Sequence, residues 1–548
     1  MRCLQATTIA LILAVVTIYS VVIIFDGGRS YNSVLKYLPS SNVAQLLNNT
    51  SRPKWVSVEN VANADIEVDG SNVRITSNKS FTHTDTDPIE IFLVLHSHVD
   101  PGWLQTFDDY YTSSVDSILN LAVTQLTEKP DLRFIWSEVS FLEKWWTRAN
   151  ETQKEKARKL IADGRFEVCG GSWVMTDEAT PYFWASIDNL IEGQRFLTET
   201  FNITPTTSWS VDPFGHGIMI PYLLPMTGIN NMVIGRINNE LKAKIREKSL
   251  LTLNWKQTWK NPGSANSPHS AFVNVLPNKY YTTSDACGPN IEVCCQFDIG
   301  PSARSSCGKR ANDVSPTNVA SYADQLADQY RKLSKYYRTP SILAPIGDDF
   351  FFSVKEDWTV VYENYKQLMD YINKEKKYNM KVRFATPAEF FDSIKPEVKA
   401  AAPSLKGDFF PYLDDRMGSY PAWTGFYAHL PYHKRMGRIV EGKLRSTDLL
   451  RLASGSSDTG LQKALIESRR NLALFQHHDG ITGTSKKHVM GDFLERLYSA
   501  FDNITDIQND LFGGDNSDKK FEAVDSLNDN QTRLLTHKLF SKSGSPTK

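Results

Sequence analysis

An α/β fold, parallel-sheet or barrel-like and followed by a helical bundle, is the architecture this chain predicts, and three observations predict it. From Pro88 to about Pro403 short strand-like runs alternate with amphipathic helical stretches, the pattern of βα units around a parallel sheet. From about Tyr432 the pattern changes to long helices with no strand between them, as in a bundle. Ahead of both stands Cys3–Phe25, an uncharged apolar run long enough to cross a bilayer as an N-terminal transmembrane helix.

That first run, CLQATTIALILAVVTIYSVVIIF, holds about 23 residues without a charge, more than the roughly 7–15 apolar residues of a cleaved signal peptide. Arg2 precedes it and Asp26 follows, which sets residues 1–2 in the cytosol and everything beyond in a lumen. A signal-anchor over 3–25 is therefore expected, with a cleaved signal as the rival reading. Residues 26–87 are polar and weakly periodic, a stem. Seven Asn-x-Ser/Thr sequons, at Asn48, Asn49, Asn78, Asn150, Asn202, Asn503 and Asn530, suit a lumenal address.

Strands are expected at Ile89–Leu95, Phe134–Trp136, Phe166–Cys169, Thr207–Val211, Met232–Ile234 and Ile342–Ile346. The expected helices are Val115–Thr127, Phe141–Ala162, Trp184–Thr200 and Val319–Tyr337. These make an α/β domain over 88–410, in which chemistry belongs at the carboxyl ends of the strands. His433–Ala453, Leu461–His477 and Lys487–Leu511 make the bundle domain, 411–512, and 513–548 reads as a disordered tail. Hydrophobic residues are 41% and charged residues 22% of the 548, with a net charge of −1. That balance excludes an electrostatic case for a nucleic-acid partner.

Residues 96–103 read His-Ser-His-Val-Asp-Pro-Gly-Trp, directly behind the first strand. Side chains two apart share a face of an extended chain, so His96, His98 and Asp100 point one way, a donor set suited to zinc. A polar corner with Pro-Gly punctuation is the structural alternative. Asp212 follows the strand-like Thr207–Val211, held extended by Pro213. Asp348 and Asp349 follow Ser341–Ile346, and His477, His478 and Asp479 end the second long helix. Each also has a local reading as a turn or capping residue. Together they supply a metal site plus the two carboxyl groups that glycoside hydrolysis requires. Cys287, Cys294, Cys295 and Cys307 crowd into about 20 residues, reading as two loop disulfides or, less consistently with the adjacent Cys-Cys, a zinc knuckle. Cys169 has no evident mate and is expected to be a buried thiol.

The segments HSHVDPGW, FIWSEVSFLEKWW, GGSWVMTDEA, SVDPFGHG, ACGPNIEVCCQFD, PIGDDF, AWTGFYAHLPYHKR and FQHHDGITGT resemble, in order, those of glycoside hydrolase family 38, the zinc-dependent retaining α-mannosidases. The cysteine block and the signal-anchor point to its Golgi α-mannosidase II branch. The resemblance implies one Zn²⁺ per chain on His98, Asp100, Asp212 and His478, with His96 a neighbour and not a ligand. It implies Asp212 as nucleophile and Asp349 as acid/base, with Asp348 beside it. A carboxyl pair about 5–5.5 Å apart is the retaining geometry, and Asp349 then needs a raised pKa. Trp103, Phe214, Arg236, Tyr281 and Asp479 become sugar contacts. The disulfides become Cys287–Cys294 and Cys295–Cys307.

Departures from the family pattern are Val99 for Asn, Phe351 for Arg, Gly480 for Ala and Leu430 for Arg. Asn-Lys-Tyr-Tyr-Thr also stands where Phe-Tyr-Ser-Tyr-Asp is usual. The family's β-rich C-terminal domains do not follow the bundle. The expected function is trimming of α1,3- and α1,6-linked mannose from N-glycans of glycoproteins by a type II Golgi membrane protein. The rivals are a truncated, inactive chain that binds mannose weakly, and a lysosomal-type α-mannosidase. The ligand types suit cobalt as well as zinc, and both a monomer and a homodimer remain open.

Overall fold

The computed structural model describes residues 74–76, 87–256, 270–302, 307, 311–414 and 421–512. The transmembrane segment expected at 3–25, most of the stem over 26–87 and the tail over 513–548 lie outside them. Among the described residues no helix is long and apolar enough to cross a membrane.

The strands come in chain order as β1 (Arg74–Thr76), β2 (Ile89–Leu95), β3 (Phe134–Trp136), β4 (Phe166–Val168), β5 (Thr207–Ser210), β6 (Asn231–Ile234), β7 (Thr252–Lys256), β8 (Ser270–Val275), β9 (Ser341–Ile346), β10 (Met380–Phe384) and β11 (Ser404–Lys406). They form three hydrogen-bonded sheets: β1-β11-β7-β8-β6-β5, β10-β2-β9 and β3-β4. Pairing is parallel except at β1–β11 and β7–β8. Single contacts bridge the sheets. His96 beyond β2 pairs with Ile135 of β3, and Gly170 N–H beyond β4 donates to the Thr207 carbonyl of β5 at 2.7 Å. The expected parallel α/β architecture is present, with its strands divided among three sheets.

Chain composition explains the central strand. Ile-Glu-Ile-Phe-Leu-Val-Leu buries all but Glu90, as a parallel strand flanked on both sides must. Arg74–Thr76 lies within the expected stem, yet it pairs antiparallel along β11. Strands β7, β8, β10 and β11 carried no expectation. Their mixed sequences, such as Met-Lys-Val-Arg-Phe in β10, depend on their neighbours more than on an apolar run of their own.

The principal helices are α1 (Asp116–Glu128), α2 (Val139–Arg148), α3 (Glu151–Ala162), α4 (Phe183–Phe201), α5 (Val319–Ser334), α6 (Lys355–Lys374), α7 (Pro431–Ser454), α8 (Thr459–Phe475) and α9 (Lys487–Phe512). The expected single helix Phe141–Ala162 is two. Ala149 turns extended and Asn150 opens α3 with a reciprocal capping box to Gln153, which satisfies backbone donors that a new helix start exposes. Helix α9 packs on α7 and α8, and α8 packs on α4. Ion pairs reinforce that last contact: Arg469 reaches Glu192 at 3.2 Å and Arg470 reaches the same carboxylate at 3.5 Å, while Arg470 also ties α8 to Glu143 of α2 at 2.8 Å. Helix α8 stops at Phe475, not at His477, so His477–Asp479 lie in the irregular chain beyond it. The cysteines form disulfides Cys287–Cys294 and Cys295–Cys307, which excludes the zinc knuckle. Cys169 is a buried free thiol.

Candidate active site

The tips of β2 and β9 are zipped beyond their ladder. His96 N–H donates to Ile346 O at 3.0 Å, His98 N–H to Asp348 O at 3.2 Å, and Phe350 N–H to His98 O at 2.7 Å. Glycine is required at 347, because a Cβ there would sit 2.1 Å from the His96 carbonyl. Phe350 and Phe352 adopt φ of 52° and 68°, a costly conformation for aromatic residues. Ring stacking of Phe350 on Tyr110, at 4.2 Å between centroids, helps hold it. Asp349 is aimed by this strained turn. Asp212 stands just past β5, and a Cβ at the facing Gly235 beyond β6 would lie 2.2 Å from Val211 O.

Four of these side chains converge. His98 Nε2 lies 2.9 Å from Asp100 Oδ1 and 3.7 Å from Asp212 Oδ2. His478 Nε2 lies 3.1 Å from Asp212 Oδ2 and 3.4 Å from Asp100 Oδ1. One ligand atom from each of His98, Asp100, Asp212 and His478 falls within 4.8 Å of the others, and all four residues are buried. His478 Nδ1 is engaged by the Met175 carbonyl at 2.9 Å, which turns Nε2 toward the carboxylates, as the outer hydrogen bond of a metal-ligating histidine does. Two imidazole nitrogens and two carboxylates at such spacings fit a divalent borderline cation.

Electrostatics agree with that charge balance. Burial disfavours the His98 cation, but Asp100, Asp212 and Asp349 outweigh it and raise the pKa to about 9. Burial opposes ionisation of Asp212 as well, yet Arg236, His478 and His98 hold it down at about 2. Asp100 is lowered well below the carboxylate range by His98 and His478, against its burial. Without a metal, protons on the imidazoles neutralise the carboxylates. A divalent cation does the same work once those protons leave.

Asp349 behaves in the opposite way. Burial, followed by Asp100 and Asp212, raises it to about 7 although His98 opposes the rise. Its Oδ1 accepts from the Tyr281 hydroxyl at 2.5 Å. Asp348 Oδ1 accepts the Asp349 N–H at 2.7 Å. These groups open onto a cavity of about 750 Å³, into which Trp103, Phe214, Arg236, Tyr281 and Asp479 all project. Arg236 donates from Nε to Asp212 Oδ1 at 2.7 Å, with rings of Tyr280, Trp423, Phe214 and Tyr412 around its guanidinium at 5.0–5.8 Å.

One reading is corrected. Spacing alone grouped His96 with His98 and Asp100, but His96 Nε2 turns to the Tyr281 carbonyl at 3.1 Å. The backbone stays paired with the β9 segment through His98, and it is the Tyr281 carbonyl that holds the His96 ring out of the cluster. Other participants were missed. Tyr280, Tyr412, Trp423 and Thr484 line the cavity; Trp423 stood inside a quoted motif, whereas nothing marked Tyr412. Glu138 is buried behind the cluster, accepting Met175 N–H at 2.9 and 3.1 Å, and burial raises it to about 8 although His478 opposes.

Residues 88–415 match the glycosyl hydrolases family 38 N-terminal domain, and residues 421–513 match the alpha mannosidase middle domain. The chain belongs to glycosyl hydrolase family 38. Within that family it is 40% identical over 435 residues to alpha-mannosidase 2 of Homo sapiens, covering 76% of this chain and 37% of that protein. Alpha-mannosidase 2 of Drosophila melanogaster is 38% identical over 420 residues, 75% of this chain and 37% of its own. The chain thus spans less than two-fifths of the length of these relatives. A solved alpha-mannosidase from Enterococcus faecalis V583 shares the fold, with a TM-score of 0.58 at 13% identity over 77% of this chain and 42% of that chain.

The departures from the usual family 38 pattern have structural sites. Val99 and Phe351 are both buried at 2% exposure, too dry for an unpartnered polar replacement. Gly480 is crowded: a Cβ would lie 2.7 Å from Phe475 O, so the usual alanine needs a local shift. Leu430 takes φ 51° as the residue before α7.

Proposed function

We propose that this family 38 chain is a zinc-dependent, retaining α-mannosidase that trims α1,3- and α1,6-linked mannose from N-glycans in the Golgi lumen. The observation that carries the reading is the placement of two carboxyl groups on one cavity: Asp212 lies between Arg236 and the His98, Asp100 and His478 cluster, and Asp349 accepts from the Tyr281 hydroxyl. Against its burial, Arg236 and the imidazoles lower the first, while burial raises the second. Pairs whose environments push their pKa values apart divide the acid and nucleophile roles between them.

Asp212 Oδ2 faces the imidazoles and Oδ1 faces Arg236, so Oδ1 is the attacking oxygen. It bonds to the anomeric carbon as the glycosidic C–O bond breaks, and Asp349 gives its proton to the leaving oxygen. Asp349, now a carboxylate, takes a proton from water, whose oxygen displaces Asp212 and releases mannose with the original anomeric configuration. His98, Asp100, Asp212 and His478 would hold the zinc, which supplies a positive template for sugar hydroxyls. Trp103 offers a ring face to the sugar and Asp479 a carboxylate acceptor.

The two disulfides support an oxidising compartment, and a signal-anchor at 3–25 supplies membrane attachment. Incubation of the full chain with Zn²⁺ and an aryl α-mannoside tests the reading. The expected result is turnover with α-mannose as the first product by NMR, abolished in Asp212→Ala. Absence of turnover, or a β first product, overturns it.

A further inference from the structure

We propose that Tyr280 is a positioning residue for the proton donor, acting through Tyr281. The inference rests on the α-mannosidase reading above and names a residue that this reading leaves without a role.

Tyr281 is fully buried, and its hydroxyl donates to Asp349 Oδ1 at 2.5 Å. The Tyr280 hydroxyl lies 2.7 Å from the Tyr281 hydroxyl. A phenol carries one hydrogen. Having given it to Asp349, Tyr281 can only accept from its neighbour. The direction Tyr280 to Tyr281 to Asp349 follows from that count. The two rings stack at 4.0 Å between centroids and 27° between planes. On its other side Tyr280 meets the Arg236 guanidinium at 5.0 Å, which in turn holds Asp212. One side chain therefore links the cation beside the nucleophile to the hydrogen bond on the proton donor.

Donors in series polarise one another. The first phenol polarises the second, and the second occupies Asp349 Oδ1 as an acceptor. The transferable proton consequently resides on Asp349 Oδ2. Tyr280 thus decides how firmly the reactive oxygen of the acid is specified.

Tyr280→Phe removes a single hydroxyl and keeps the ring, its stacking and its contact with Arg236. A leaving group that needs a proton should feel the loss, and one that departs unaided should not. We expect kcat/KM to fall about 5-fold on methyl α-mannoside and less than about 2-fold on 2,4-dinitrophenyl α-mannoside, with KM unchanged. Equal losses on both substrates, or no loss on either, overturn the proposal. A second readout needs no turnover. The infrared carboxyl C=O band that Asp349→Asn eliminates should move in Tyr280→Phe, and a stationary band overturns the proposal. If the wild type is inert on both mannosides while the band still moves, the mannosidase reading fails and the hydrogen-bonded chain stands.

Discussion

Strand tips and the irregular chain after α8 both deliver residues to the cavity, and they hold them by different means. His98, Asp100, Asp212 and Asp349 stand a few residues past β2, β5 and β9, where ladder hydrogen bonds run almost to the functional side chain. His478 and Asp479 have no ladder. They are stitched down by distant partners: Met175 O on His478 Nδ1, a lone bridge between Thr176 and His477, and Lys486 N–H on Trp103 O at 2.9 Å. The sheet side is fixed by continuous ladders. The helical side is fixed by separate contacts, so its residues should be the easier to dislodge.

The largest effect is expected on the sheet side, where Asp212 serves as ligand and nucleophile together. Asp212→Ala should lower kcat by at least about 10⁴-fold on any α-mannoside. Retention of a cooperative melt would show that the ladders, not the carboxylate, hold the strand tip. His478→Ala comes next. It removes one ligand of four and should weaken zinc binding by more than about 100-fold in a chelator competition, with the α/β layer still folded. A smaller change would mean that the three strand-tip ligands suffice and that the stitching matters less than the geometry suggests.

The pH profile tests the same wall without mutation. Asp349 must be protonated to act, and burial raises it to about 7, so kcat/KM should fall as pH rises through about 7, approaching tenfold per unit above it. Asp212, held down at about 2, stays ionised throughout and contributes no acid limb in the neutral range. An activity that instead rises through pH 7 to 9 would contradict Asp349 as the donor.

These two means of support also decide what was legible. β2 and β3 match the expected runs residue for residue, and β9 differs by one, because apolar runs bounded by turn signals report burial directly. The strand-tip carboxylates could be read with them. His96 falls outside the ligand set because the Tyr281 carbonyl takes its Nε2, a distant partner that spacing along one strand cannot show. His478 was visible only through its motif, since no local pattern reveals a partner as far away as Met175. The periodicity of helix α8 continues to His477, while the helix ends at Phe475 and the next residues pair with the segment around Asp177. Tyr280 stands out in the sequence only as a departure, and its hydrogen bond to Tyr281 exists only in three dimensions.

Two buried lysines bring the comparison to its finest scale. Lys242 Nζ donates to Gly235 O and Asn278 O, both at 2.6 Å, and so braces the loops that carry Arg236 and Tyr280. Lys434 Nζ donates to His429 O at 2.5 Å, Ile481 O at 2.6 Å and Thr482 O at 3.3 Å, bracing the loop after Asp479. Burial lowers both amines, Lys242 to about 7 and Lys434 to about 8. Replacing either by Met strands carbonyls that it now satisfies, at a cost of about 1–3 kcal/mol in thermal unfolding. The effect on the site should differ. Asn278 keeps other anchors, since its Nδ2 donates to Asp285 O and Gly288 O, and Leu276 N–H donates to Ile234 O at 2.9 Å. Lys242→Met should therefore leave zinc affinity within about 3-fold of the wild type, whereas Lys434→Met should weaken it by about 10-fold through the loosened His478 loop. Equal affinities in the two variants would erase the distinction between the sides. A larger loss in Lys242→Met would reverse it, because Arg236 would then be doing for Asp212 what the ladder was thought to do alone.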